Sequence, residues 1–209
     1  MEYKGLVAGL GNPGHKYEAT RHNMGFMFVD ELLALARKDG EVRELNGRKF
    51  QAQLWQVSLP PLAGTWLAAK PETFMNSSGV AARPLLYWHN LEPADLVVVQ
   101  DEMDLPAGEL RFKFGGGLAG HNGLLSITRE LGTQDFYRLR IGIGKPAHRD
   151  DTLNWVLGRQ SPEDQAKIRA IMPYALETLF IFSREGHARA VQFAHTAAKL
   201  VAGESAKST

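Results

Sequence analysis

Lys4-Gly5-Leu6-Val7-Ala8-Gly9-Leu10-Gly11-Asn12-Pro13-Gly14 is the stretch whose reading decides the fold. Its apolar half reads as a short buried strand, and the strand ends in a glycine-rich loop. The loop also satisfies G-x-G-x-x-G, the dinucleotide fingerprint. That fingerprint needs a helix opening at the third glycine, so that the helix dipole faces a pyrophosphate. Here Gly14 is followed by His15-Lys16-Tyr17-Glu18-Ala19-Thr20-Arg21-His22, which has no apolar helical period. The acids available for a ribose, Asp30 and Glu31, fall in an amphipathic helix instead of ending a second strand. A tight turn is the simpler reading of the glycines, and no nicotinamide cofactor is expected.

Outward from this strand, Phe26, Val29, Leu32, Leu33 and Ala36 have helical spacing, with Gly40 as a stop. Residues 50–59 and 65–69 read as strands joined by the Pro60-Pro61 turn. Ser77 or Ser78 can cap a helix toward Trp88, weakened in its middle by Pro84. Residues 96–99, Leu-Val-Val-Val, suit a central strand that is apolar on both faces. Residues 110–114 and 136–143 read as further strands, and Gly115-Gly116-Gly117 as a mobile or sharply turned loop. Residues 122–131 read as a short helix stopped by Gly132. The last third is helical, with Ser161-Pro162-Glu163-Asp164 as an N-terminal signal. Strands interleaved with helices predict an α/β fold. The expected form is one domain over residues 1–198, with a twisted, mostly parallel mixed sheet flanked by helices, and a flexible tail over 199–209.

Composition narrows the function. The chain has 209 residues, no cysteine and a net charge of +1. Disulfides, thiolate metal sites and a cysteine nucleophile are excluded. No stretch is long and apolar enough to span a bilayer, and no signal peptide is visible. Residues 111–149 hold seven basic residues and two acids, so this segment is +5 and the remainder −4. Such a basic region in a near-neutral chain suits a polyanion. Arg111 and Lys113 share one strand face, as do Arg138 and Arg140. These pairs form either a solvated face or a phosphate-tracking surface; with few aromatics interleaved, backbone contact with a folded RNA fits better than base stacking.

The remaining polar motifs can line one cleft. His22 lies between a polar loop and a helix start; it is either a capping residue or a base, and an imidazole titrating at about 6.5 suits base chemistry near neutrality. Asp101 follows the strand over 96–99, where sites collect in open α/β sheets, although an acid there also caps turns. Asn12, Asn76 and Asn122 sit at element junctions; Asn122 can be a helix N-cap, or the three together can hold a carbonyl and peptide amides. Glu102 and Asp104 add charge, but no histidine pair has metal-ligand spacing, so no metal is expected. The set suits water-mediated hydrolysis, in which a base activates water, an acid orients the base and amides hold a carbonyl.

Six motifs occur together: Gly9-Leu10-Gly11-Asn12-Pro13-Gly14, Tyr17 with Thr20-Arg21-His22-Asn23, Pro71-Glu72-Thr73-Phe74-Met75-Asn76-Ser77-Ser78-Gly79, Asp101-Glu102-Met103-Asp104-Leu105-Pro106, Gly120-His121-Asn122-Gly123 and Arg138-Leu139-Arg140-Ile141-Gly142-Ile143-Gly144. As a set over roughly residues 3–195, they resemble bacterial peptidyl-tRNA hydrolases. The resemblance implies cleavage of the ester between a peptide and the 3′ ribose of tRNA, without a cofactor, by a cytoplasmic monomer. It implies that His22 is the base, Asp101 its orienting acid and Asn12 a residue at the scissile carbonyl. Asn76 and Asn122 match peptide-holding amides, and Tyr17, Met75 and His121 match positions lining the cleft. Arg111, Lys113, Arg138 and Arg140 match tRNA-contacting residues. Two departures stand out. Gln100 replaces a histidine found in some members, and Leu118-Ala119 replaces a polar or glycine-rich pair in a segment resembling the family's mobile gate. A non-catalytic RNA-binding relative of the same fold is the principal alternative, and the intact His22 and Asp101 argue against it.

Overall fold

All four residues of the first strand, β1 (Leu6–Gly9), are buried, and the strand lies in the middle of the sheet. The computed structural model describes residues 2–207. After β1 come α1 (Met24–Asp39), β2 (Glu41–Leu45), β3 (Ala52–Ser58), β4 (Trp66–Pro71), α2 (Ser78–Trp88), β5 (Leu96–Glu102), β6 (Leu110–Phe114), α3 (Asn122–Leu131), β7 (Tyr137–Gly142), α4 (Thr152–Leu157), α5 (Pro162–Glu185) and α6 (His187–Lys207). The seven strands form one sheet in the order β2-β3-β4-β1-β5-β7-β6. The α/β reading is borne out. Parallel pairing joins the four central strands, while β2, β3 and β6 add antiparallel flanks, so the weighting toward parallel pairs holds only at the centre.

Alternation along the central strands divides the core in two. Val7, Val97, Val99, Leu139 and Ile141 meet α1, α5 and α6 on one face. Leu6, Ala8, Leu67, Leu96 and Val98 meet α2 and α3 on the other. Strands covered on both faces must be apolar throughout, which is why residues 96–99 carry no polar alternation. The strand β1 leads into α1 on the first face, whereas β5 leads through β6 into α3 on the second. A crevice therefore opens between the carboxyl ends of β1 and β5, where sheets of this kind place their sites.

The glycine loop seats α1 against that crevice. A β-carbon on Gly25 would lie 2.1 Å from the backbone nitrogen of Leu10 and 2.3 Å from the carbonyl oxygen of Val99. One on Gly9 would lie 2.2 Å from the Gly25 carbonyl oxygen. These glycines let helix and sheet backbones touch, and only Gly14, at φ 102°, is required by its dihedral. No α-helix opens at Gly14; one 3-10 turn, His15–Tyr17, follows it. Gly25→Ala is expected to cost about 3 kcal/mol of stability, the upper end of overpacking penalties, since backbone rather than a flexible side chain must move. Urea unfolding checks this, and wild-type stability would mean that the close approach is not obligatory.

Other expectations need correction. The strand β2 was not foreseen, because Glu41-Val42-Arg43-Glu44-Leu45 is largely exposed at a sheet edge and shows no apolar alternation. Neither serine hydroxyl caps α2: Ser78 Oγ donates to the Met75 carbonyl at 2.9 Å, and the helix follows directly on a 3-10 turn, Met75–Ser77. The helix runs through Pro84 because Ala81, Ala82, Leu85 and Leu86 are buried on its opposite face. Ser161 does cap α5, accepting from the Asp164 amide at 3.1 Å. The boundary drawn at Ala198 falls inside α6, where Ala190, Ala194, Ala197 and Val201 recur at helical spacing and pack on the core. The last two residues of the expected tail, 208 and 209, lie outside the described residues.

Candidate active site

His22 occupies a 3-10 turn, Arg21–Asn23, immediately before α1, and both of its neighbours anchor that turn. The Arg21 guanidinium stacks 3.7 Å from the centre of the Trp155 ring and donates to the Trp155 carbonyl at 3.1 Å, tying the turn to α4. The Asn23 carboxamide accepts from the Asn12 amide at 2.8 Å and donates to the Asn12 carbonyl at 3.0 Å, tying it to the glycine loop. His22 is thus held from two sides by contacts distant in sequence.

Asp101 lies within the carboxyl end of β5, on the face that meets α1, and is 2% exposed. His22 Nδ1 lies 3.0 Å from each of its carboxylate oxygens. His121 Nε2 lies 3.1 Å from Oδ1. Burial alone would raise the Asp101 carboxyl, but the two imidazoles facing it hold it well below the usual carboxylate range. An ionised carboxylate accepts from both rings, so His22 carries its proton on Nδ1 and leaves Nε2 bare.

The tautomer of His121 is set from its other side. Its Nδ1 accepts from the backbone amides of Gly123 at 3.2 Å and Leu124 at 3.4 Å, as the N-cap of α3. Asn122, the other candidate cap, is the first helical residue, and its side chain is left exposed. With Nδ1 accepting, the His121 proton sits on Nε2, facing Asp101. His22, Asp101 and His121 bring ligand atoms within 4.8 Å of one another, as a metal site would. The donor set does not fit one, because a metal at His121 Nε2 would require the proton at Nδ1, against two N–H groups. The nearby acids are engaged elsewhere: Glu102 accepts from Arg140 at 2.8 Å, and Asp104 pairs with Lys145 at 2.7 Å.

His22, Asp101, His121 and Asn122 line one cavity, together with Gln100, Met103, Leu153 and Val156. Asn12 sits beside it, lining a neighbouring cavity with Asn23. Its Oδ1 accepts from the Met75 amide at 2.8 Å, which leaves its Nδ2 protons for other acceptors. Asn76 is exposed, and Tyr17 is half-buried outside both cavities. Met75 is buried in the core and lines neither of these two cavities; a β-carbon on Gly123 would lie 2.6 Å from its sulfur, so it packs against the start of α3.

The basic strand pairs do meet. In the β6–β7 ribbon Arg111 faces Arg140 and Lys113 faces Arg138, opposite to the buried Phe112 and Leu139. Their environments differ. Arg111 pairs with Glu109 at 3.0 Å, and Arg140 with Glu102. Arg138 is 1% exposed and donates to carbonyls of the segment 115–117, which closes it off from solvent. Lys113 has no hydrogen-bond or ion-pair partner among the described residues; burial, and then Arg138 and Arg140, push its ammonium pKa down. The roles of Arg21 and Asn23 had no local signal, and neither did the lining by Leu153 and Val156, since each depends on what lies opposite.

The fold and the paired imidazoles on a buried carboxylate define an α/β protein with a candidate active site at a sheet crevice. Comparison with known proteins places it further. The peptidyl-tRNA hydrolase family profile matches residues 6–201. A peptidyl-tRNA hydrolase of Desulfovibrio desulfuricans is 58% identical, with 93% of this chain and 85% of that protein covered. One from Nitratidesulfovibrio vulgaris is 48% identical, with 93% and 98% covered. The crystal structure of peptidyl-tRNA hydrolase from Acinetobacter baumannii superposes with a TM-score of 0.84 at 31% identity, covering 93% of this chain and 97% of that one. The chain belongs to the peptidyl-tRNA hydrolase family and is a hydrolase.

Proposed function

We propose that this protein hydrolyses the ester joining a peptide to the 3′ ribose of tRNA, with His22 as general base. The observation that carries this reading is the His22–Asp101 pair, in which the carboxylate accepts the Nδ1–H hydrogen bond and leaves Nε2 free to accept a proton from water. The water oxygen bonds to the ester carbonyl carbon while its proton passes to Nε2. Asp101 stabilises the imidazolium so formed. Asn12 Nδ2 donates to the carbonyl oxygen as it becomes an oxyanion. When the tetrahedral intermediate collapses, the ester C–O bond breaks and the imidazolium returns its proton to the ribose oxygen. Asn76 and Asn122, both exposed, hold peptide amides, and Tyr17 flanks the entry. A free α-ammonium has no acyl carbonyl to accept from these carboxamide N–H groups and brings a charge they do not neutralise, so blocked aminoacyl groups are preferred.

Arg111, Lys113 and Arg140 are the proposed phosphate contacts, with Lys113 the strongest because it makes no ion pair among the described residues. Binding should then weaken with salt. Among the described residues no helix is long and apolar enough to cross a membrane. We infer a monomer acting in the cytoplasm, where tRNA is recycled, without a cofactor.

The experiment is release of N-acetyl-aminoacyl groups from tRNA by EDTA-treated protein, beside the unblocked aminoacyl-tRNA. Fast cleavage of the blocked ester alone is expected. No cleavage with tRNA still bound would replace this reading with a non-catalytic RNA-binding one.

A further inference from the structure

We propose that Arg138 is a positioning residue, a buried latch that fixes the segment 115–121 so that His121 reaches Asp101. Four observations converge on it.

The first is the placement of the charge. Arg138 is among the largest fully buried side chains, yet among the described residues no carboxylate is bonded to it. Its NH1 donates to the Gly117 carbonyl at 2.7 Å and its NH2 to the Gly116 carbonyl, while Nε has no partner among the described residues. Burial, and secondarily the neighbouring Arg140, disfavour the cation. An apolar side chain would fill this position at lower electrostatic cost. What a guanidinium adds is a rigid fork that can hold two adjacent carbonyls at once.

The second is the conformation of what it holds. Gly115 and Gly116 have φ of 60° and 85°, and Ala119 and Gly120 have φ of 50° and 71°. The segment thus turns twice through the left-handed region. Ala119 does so with a β-carbon, which disfavours that region. Gly116, Gly117, Ala119 and Gly120 are exposed, and Leu118 is the side chain of this stretch that packs on the core, so packing does not hold Gly116 and Gly117 themselves. Backbone bonds tie Gly115 N to the Phe136 carbonyl at 3.0 Å and His121 N to the Leu118 carbonyl at 2.9 Å. Between these two bonds, Arg138 is the hold from the sheet.

The third is where the segment ends. His121 closes the second turn, caps α3 and donates to Asp101. One end of the segment is therefore fixed by Arg138 on β7 and the other by Asp101 on β5, two neighbouring parallel strands. The fourth is register. Arg138 pairs with Lys113 in the β6–β7 ribbon, at the end from which the segment departs, so its side chain needs no long reach.

The inference rests on the hydrolase reading for its kinetic test but not for its structural one. Wild type, Arg138→Lys and Arg138→Met are compared by amide hydrogen exchange and by kinetics on N-acetyl-aminoacyl-tRNA at several salt concentrations. For Arg138→Met, exchange in 115–121 is expected to rise at least tenfold while α1 and β5 keep wild-type protection. Its kcat should fall about tenfold with little change in KM, and the salt slope of KM should stay as in wild type. Arg138→Lys should recover part of kcat and part of the protection, since one ammonium can hold one carbonyl. Unchanged exchange in 115–121 overturns the latch. A salt slope smaller by about one makes Arg138 a phosphate contact instead and overturns it as well. If Arg138→Met does not fold, Arg138→Lys alone decides: local exchange at the wild-type rate with unchanged kcat refutes the proposal. If the wild-type protein cleaves no ester, the hydrolase reading fails while the exchange arm still judges the latch.

Discussion

His22→Ala is expected to lower kcat on a blocked aminoacyl-tRNA ester by at least ~10²-fold, with tRNA affinity nearly unchanged. The imidazole is 8% exposed and lines the cavity beside Asn122, so it can reach water at the ester without touching the basic ribbon. Removing it deletes the proton acceptor in the attack and the donor to the leaving oxygen together. The turn itself should survive, because Arg21 and Asn23 anchor it through their own contacts. Steady-state kinetics with a separate tRNA-binding titration make the check. Near-normal turnover would remove His22 as the base, and a loss of affinity equal to the loss of rate would make it a binding residue.

Asp101→Asn should cost about 10³-fold in kcat, and more than Asp101→Ala. A carboxamide offers one acceptor and one donor where the carboxylate offered two acceptors. His121 must keep its proton on Nε2, because Nδ1 faces the amides of Gly123 and Leu124. The carboxamide oxygen therefore serves His121, and its N–H groups face His22 Nδ1. His22 then takes the tautomer with the proton on Nε2 and can no longer accept one from water; a wrong tautomer of this kind costs up to ~10⁴ in a serine-protease triad. Alanine merely withdraws the orienting group and leaves the tautomer free. Turnover of the two variants, with near-identical tRNA binding, is the measurement. If alanine proves the slower enzyme, the charge of Asp101 matters more than its control of the tautomer.

The second prediction depends on His121, which shows how far the sequence could be read. In the sequence Asn122 marks a helix start and is the residue that suits an N-cap. That His121 caps α3 with one nitrogen and meets Asp101 with the other requires α3 and β5 to be docked. The same limit applies to the basic ribbon. Period-two alternation correctly put Arg111 with Lys113, and Arg138 with Arg140, on one face of each strand, and the β6–β7 pairing brings the two pairs together. It carried no information on whether that face is open at Arg138, where the segment 115–117 folds over it. The strand β2 escaped notice because an exposed edge strand has no alternation to detect, and α6 outran the expected tail because small residues hide an apolar stripe.

From sequence alone the chain specified its α/β order, its central strands, most helix stops and the chemical types gathered at the crevice. These follow from local rules: strand and helix periods, glycine at left-handed positions, and the functional groups each residue carries. The tertiary structure alone decided which nitrogen of each imidazole holds the proton, which cations are buried and which are open, and why Gly9 and Gly25 must lack side chains. Those properties arise between residues far apart in the chain, as with His22 and Asp101, separated by 79 positions. Proton placement and burial are set by what lies opposite a group, and only the folded chain brings the opposite side into being.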